Sequence, residues 1–403
     1  MADVRISGAA TDTESWSRPR AVLPALCATQ ITSWGIVYYA FPVLNPRITA
    51  DTGWSTTSTT AAFSGALLVS ALVGIPVGRI LDRQGPRAVM TAGSVLAVIA
   101  LLTVAHATNI LAFAAGWTLA GIAMAATFYQ PAFAAVTRWW GDQRIRALTV
   151  ITLAGGLAST VFAPITAALA AHLDWRTTYD ILAITLAVVT IPAHALALRA
   201  PWPTRPSPLH SRRDRTAEPI VRTRPFLLLA AALTLNGFAM YAVVIALVPL
   251  LTERGASPAV AAWALGLGGA GQTLGRMAYA ALARRTGVTT RTTLLIAAGG
   301  ATTAALGLVP GPIPLLVLLA VTAGMVRGNL TLLQATAVTD RWGATDYGRL
   351  SALLAAPVTI ASALAPFAGA ALAHDLGGYP VLFVLLSAIS LAASALALAS
   401  RPR

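Results

Sequence analysis

The sequence contains no lysine, one cysteine, and only 14 Asp and Glu residues against 28 arginines in 403 residues. A lone cysteine, Cys27, excludes an internal disulfide and a cysteine-rich metal centre, and its position in the first apolar run reads as small core filler. Charge of either sign is scarce. Charged residues make up 10% of the chain and hydrophobic residues 57%, whereas soluble domains carry roughly 25% charged residues. A single water-soluble core cannot hide that much apolar surface, so the composition fits a chain dissolved in lipid. Neither an HExxH metal pattern nor a GxSxG nucleophile turn is present, which points away from an enzyme, and neither a cofactor nor a metal site is expected.

The formal net charge of +14 would suit nucleic acid only if the basic residues gathered on one solvated face beside stacking aromatics. They are instead scattered between apolar runs, so the expected partner is the lipid bilayer and not nucleic acid. Placed against those runs, the arginines obey the positive-inside rule. With the segment before Val22 in the cytoplasm, the outer connections hold only Arg47, Arg176 and Arg254. Arg276 and Arg327 fall inside apolar segments, and all the others lie on the inner side. This asymmetry predicts a multi-pass protein of the cytoplasmic membrane with both termini cytoplasmic and an even number of spans. The first twenty residues are polar, so no removable signal peptide is expected and the first span should act as its own insertion signal.

A span needs roughly 20 apolar residues to cross a hydrocarbon core of about 30 Å. Charges and Pro/Gly pairs divide the chain into twelve such runs, beginning near Val22, Thr57, Ala88, Ile110, Arg146, Thr177, Phe226, Pro258, Arg291, Ile313, Gly348 and Gly378. The expected organisation is a cytoplasmic tail over 1–21, a six-helix bundle over 22–198, a Pro- and Arg-rich linker over 199–225, a second six-helix bundle over 226–399 and a short tail over 400–403. The halves repeat at an offset of 202. Ala135-Val136-Thr137 and Trp140-Gly141 match Ala337-Val338-Thr339 and Trp342-Gly343, and Ala163-Pro164 matches Ala365-Pro366. A parallel repeat of this kind predicts a pseudo-twofold axis along the membrane normal, with a substrate site between the halves near the midplane.

Between the second and third runs lies Gly78-Arg79-Ile80-Leu81-Asp82-Arg83-Gln84-Gly85-Pro86-Arg87. This stretch resembles the loop signature of the major facilitator superfamily, and the pair Arg284-Arg285 before Gly287 is its weaker copy. The resemblance implies an all-α membrane protein of twelve helices in two pseudo-symmetric halves. It further implies that Gly78, Asp82, Arg83, Gly85 and Arg87 belong to a gate that closes the cytoplasmic side. Tyr38-Tyr39-Ala40-Phe41, Asp51-Thr52-Gly53-Trp54-Ser55 and Arg276 in the eighth run look like the monocarboxylate and oxalate/formate transporter branch, where such an arginine contributes to carboxylate binding. Oxalate/formate exchangers carry a second cation as a lysine in the eleventh span. This chain has no lysine, and Arg327 in the tenth run stands as the other cation.

An arginine at the centre of a membrane helix costs about 2.5 to 3.5 kcal/mol on insertion scales. Arg276 and Arg327 therefore read as substrate-anion ligands, against the alternative that each pairs with backbone carbonyls or helix ends for packing or gating. Their counterparts in the first half, Gly74 and Ala125, are uncharged. Tyr38, Tyr129, Gln130, Asn236, Tyr241 and Asn329 are neutral polar groups on runs expected to line the cavity, suited to hydrogen bonding a substrate or to interhelical packing. Asp180 and His194 lie near the ends of the sixth run and make poor proton carriers. Gly266-Leu267-Gly268-Gly269-Ala270-Gly271 satisfies GxGxxG, but within an apolar helix it reads as a close helix contact and not a nucleotide site.

These residues predict a secondary transporter, active as a monomer, that moves a small organic anion, a carboxylate, by alternating access, coupled to a proton or a counter-anion. Two alternatives stand beside it: an exporter of drugs or natural products with the same fold, and a membrane sensor that binds ligand without transporting it.

Overall fold

The computed structural model describes residues 20–140, 144–202, 220–342 and 347–401. Among them the regular structure is entirely helical. The first rod joins α1 (Val22–Ser33), a π-helical segment (Trp34–Tyr39) and α2 (Ala40–Thr52). Then come α3 (Thr56–Gln84), α4 (Pro86–Ala105), a rod of α5 (Ile110–Thr127) and α6 (Tyr129–Trp140), a rod of α7 (Arg144–Gly156) and α8 (Ala158–His172), and α9 (Trp175–Pro192) with a π-helical end (Ala193–Ala197). The second series is α10 (Arg224–Glu253), α11 (Pro258–Arg285), α12 (Val288–Leu308), α13 (Ile313–Thr336), the short α14 (Thr339–Trp342), α15 (Tyr347–Leu376) and α16 (Tyr379–Ala399). Leaving aside the short α14, the described helices count as twelve rods, and nine are long and apolar enough to cross a membrane. The other three are the first rod, α11 and α12, whose sequences carry Gln30 and Arg47, Gln272 and Arg276, and a run of threonines.

Observed starts fall within three residues of those predicted, because the punctuation that ends apolar runs also caps helices. Ser55, Asn109, Asp174 and Ser257 sit at N-caps, and each side chain accepts a backbone N–H from three residues on. Gly53 ends the first rod in the left-handed conformation, with φ 71°. Of the expected linker over 199–225, residues 203–219 lie outside the described ones, as do the tail residues 1–19 and 402–403.

The apolar core shows how the two halves meet. Val22, Leu26, Trp139 and Leu198 form a cluster of the first half, and Phe226, Leu333, Leu354 and Ala397 one of the second. Both lie at the face where the rods begin and end. Towards the opposite face the clusters fuse: Phe41, Leu44 and Phe63 of the first half share one core with Val244, Leu247 and Ala365 of the second. There Ser64 Oγ of α3 accepts the backbone N–H of Phe367 in α15 at 2.9 Å. The halves are thus sealed together away from the termini and parted towards them.

Candidate functional site

A cavity of about 350 Å³ occupies the cleft between the halves, within the usual range for small-molecule sites of roughly 300–1,000 Å³. The first half contributes Trp34 and Tyr38 from the π-helical segment, Ser70 from α3, and Phe128, Tyr129 and Gln130 from the junction of α5 and α6. The second contributes Tyr241 from α10, Gln334 from α13, and Thr359 and Ser362 from α15. No Asp or Glu is among the lining residues, and no arginine either.

Two local irregularities build this wall. At Phe128 the backbone leaves helical geometry, with ψ −161°, and the rod restarts at Tyr129. Pro131 in the next turn cannot donate to the ladder, which fixes the break. Buried Gln30 of α1 donates from Nε2 to the carbonyl of Thr127 at 2.7 Å and to that of Phe128 at 3.4 Å, satisfying acceptors the break frees inside an apolar environment. The restarted helix brings its positive end to the cavity, an arrangement suited to negative charge. Across from it, the π-helical segment carries Trp34, which stacks on Phe128 at 4.1 Å between ring centroids and lies 5.1 Å from Tyr129. Such segments are frequent at functional sites because they reorient side chains within a helix.

Tyr38, Tyr129, Gln130 and Tyr241 come together on this one cavity. Arg276 sits just beyond it. Its Nη1 donates to the backbone carbonyl of Thr152, in the last turns of α7, its Nε donates to Gly328 at 3.4 Å, and its guanidinium lies within electrostatic reach of the Tyr129 hydroxyl. The side chain crosses between halves and meets the negative end of a helix, much as a cation does at a C-terminus. Arg327 and Asn236 lie in a separate small void behind α10, although Arg327 stays within electrostatic reach of Tyr38 and Tyr241. Asn329 turns back on its own helix, its Nδ2 donating to Met325 at 2.8 Å.

In the signature loop Gly85 adopts φ 82°, and a side chain there would press on the Trp202 ring at 3.1 Å. Arg87 donates from Nε to Ala195 at 2.9 Å, while Gly78 and Arg83 are exposed. The side chain of Asp82 lies outside the described ones. Among the described residues, the loop thus touches Ala195 at the end of the first half and Trp202 at the start of the linker.

Sequence reasoning missed Trp34, Ser70, Thr359 and Ser362 on the cavity wall. Pro131 two residues after Tyr129 was the one signal that marked the break. Glycines of the discarded GxGxxG stretch do pack helices closely: Gly268 of α11 lies against the backbone of Gly324 in α13 and Gly271 against that of Val321, and one turn on Gly275 lies against Met325.

Comparison with known proteins agrees with this architecture. The profile of the Major Facilitator Superfamily matches residues 26–314 and 229–403. Over 211 residues the chain is 29% identical to Monocarboxylate transporter 13 of Bos taurus, covering 51% of this chain and 48% of that one. Over 136 residues it is 26% identical to the uncharacterized MFS-type transporter YcxA of Bacillus subtilis (strain 168), covering 34% and 33%. The chain thus spans a third to a half of the length of these relatives. A bacterial homologue of the human lysosomal transporter Spinster, inward-facing and occupied, superposes with a TM-score of 0.75 at 15% identity, over 94% of this chain and 96% of that one. The nucleoside transporter NupG superposes with a TM-score of 0.76 at 14% identity, over 95% and 100%. With the two-part helical bundle, its central cavity and a profile match along most of its length, the chain belongs to the Major Facilitator Superfamily and is a multi-pass membrane protein.

Proposed function

We propose that this protein is a secondary transporter of a small organic anion, a carboxylate, in the cytoplasmic membrane. It carries both termini in the cytoplasm, so the parted face is the inward-open one. The observation that carries the reading is electrostatic. Among the described residues, the cavity with Tyr38, Tyr129, Gln130 and Tyr241 on its wall has no acidic side chain to receive a cationic substrate, while a helix N-terminus and the nearby Arg276 guanidinium favour an anion. In this reading Tyr129 and Gln130 orient the carboxylate, and Tyr38 and Tyr241 hold it from the other walls. Arg276 exchanges the Thr152 carbonyl for the substrate as the cleft closes. Since a transporter needs differential affinity for its two states, that exchange is what lets the substrate shift the equilibrium.

Among the described residues no carboxylate lines the cavity, and in this reading coupling runs through a proton carried with the substrate or through a counter-anion. The protein works as a monomer, with its gate at Gly78, Asp82, Arg83, Gly85 and Arg87 closing the cytoplasmic side in the opposite state. The cavity's apolar walls, Leu67, Met124, Leu233 and Val358 among them, favour a second reading, export of an apolar drug or natural product.

A thermal-stability screen of the detergent-purified protein separates the two. A ligand at 100 times its dissociation constant stabilises the folded state by about 2.7 kcal/mol. Stabilisation by small carboxylates that is lost in Gln130→Ala supports the anion reading. Stabilisation by neutral or cationic drugs alone would refute it.

A further inference from the structure

The void behind α10 has a chemistry of its own. Leu233 and Tyr241 show one face of α10 to the central cavity, and Asn236 shows another to a space of about 30 Å³ into which Arg327 projects from α13. Among the described residues, several other buried or half-buried guanidiniums have partners. Arg291 pairs with Asp340 at 2.6 Å, Arg276 donates to Thr152 and Gly328, and Arg176 and Arg254 donate to loop-end carbonyls. Arg327 is the exception. It is 7% exposed, it makes no hydrogen bond or ion pair with any described residue, and its Nε is sealed without an acceptor. Asn236, 3% exposed, likewise keeps Nδ2 without a partner.

Both orphaned groups are donors, and among the described residues no Asp or Glu borders the space. Thr302, Thr303 and Ser390 complete its polar wall, each hydroxyl donating to a carbonyl of its own helix. A fixed positive charge buried without a counter-charge is strongly destabilising. A water molecule accepts these hydrogen bonds but does not neutralise the charge, whereas a monoatomic anion does both. Size narrows the choice further, since a cavity needs roughly 10–15 Å³ of such volume to hold one water. A space of about 30 Å³ admits one small ion and excludes an organic carboxylate.

We propose that Arg327 and Asn236 form a binding site for a small inorganic anion of the halide class, distinct from the organic-anion cavity. The site ties α10 to α13 inside the second half. It goes beyond the transport reading, since it needs no organic substrate.

The test is thermal unfolding of the full chain, purified in detergent without any organic carboxylate. Sodium chloride or bromide is titrated against sodium methanesulfonate at constant ionic strength, methanesulfonate being too large for the space. The expected result is a saturable rise of several degrees in the unfolding midpoint with either halide and none with methanesulfonate. Asn236→Ala should raise the half-saturating concentration tenfold or more, and Arg327→Gln should abolish the response, while Gln130→Ala and Tyr241→Phe in the central cavity leave it intact. Should Arg327→Gln fail to fold, Asn236→Ala and an anomalous bromide peak beside Arg327 in crystals decide the matter. Equal shifts with methanesulfonate would overturn the proposal in favour of water. A halide response lost in Gln130→Ala but kept in Asn236→Ala would place the anion in the central cavity and overturn it as well.

Discussion

Arg276 and Thr152 belong to opposite halves, and the guanidinium of the first donates to the backbone carbonyl of the second near the end of α7. Gly156 leaves the space for this approach, because a side chain there would meet Arg276 Nη1 at 3.2 Å. The contact is a tie between the two halves. It forms on the side where the apolar cores have parted, and so it favours the arrangement that is open towards the termini.

Arg276→Gln should therefore shift the conformational balance. Hydrogen bonds to charged groups contribute about 1.5–3 kcal/mol, and a loss of that size moves the ratio of states by roughly tenfold or more. In a Cys27→Ala background, a cysteine at Thr359 should become less reactive from the termini face. Unchanged labelling would remove the tie from the gating mechanism.

Ser64→Ala acts on the opposite seal. Its hydroxyl accepts the N–H of Phe367, next to Pro366, at 2.9 Å, and a neutral hydrogen bond contributes about 0.5–1.5 kcal/mol. Labelling of Thr359→Cys from the far face should rise severalfold, while the unfolding midpoint hardly moves. A large fall in midpoint without a labelling change would make the contact structural.

Much of this was legible in the sequence. Helix class, starts and the repeat followed from apolar runs punctuated by Ser55, Asn109, Asp174 and Ser257, because caps and span ends are local properties. Tyr38, Tyr129, Gln130 and Tyr241 could be placed on one cavity because they sit on the inner faces of repeat-related spans. Arg276 and Arg327 could be recognised as expensive but not assigned neighbours: whether an arginine meets a helix end across the interface or a sealed void behind α10 depends on helix rotation, which periodicity in an all-apolar helix does not encode. Trp34, Thr359 and Ser362 were hidden for the same reason.

Gly275→Leu tests the close packing of α11 on α13. Any side chain at Gly275 overlaps the Met325 backbone, and overpacking costs typically about 1–3 kcal/mol. The unfolding midpoint should fall by several degrees, with Gly78→Ala, which has open space around it, as the unaffected control. Equal behaviour of the two variants would contradict the packing.

Arg291→Gln breaks the pair with Asp340 at the termini face. The arginine side chain is 5% exposed and the carboxylate 28%, so the loss is below that of a fully buried pair, about 1–3 kcal/mol. Arg341, which donates to Thr292 at 2.9 Å from the same short helix, remains. A drop in thermal stability rescued by Arg291→Lys in part is expected, and a wild-type midpoint would show the pair to be inert.

The most direct test of the transport assignment is uptake into proteoliposomes of labelled small monocarboxylates, dicarboxylates and a neutral drug panel, with the wild-type chain and with Arg276→Gln and Tyr129→Phe. Saturable carboxylate uptake that falls at least tenfold in Arg276→Gln is the predicted result. Transport of neutral compounds alone, equal in all three proteins, would contradict it.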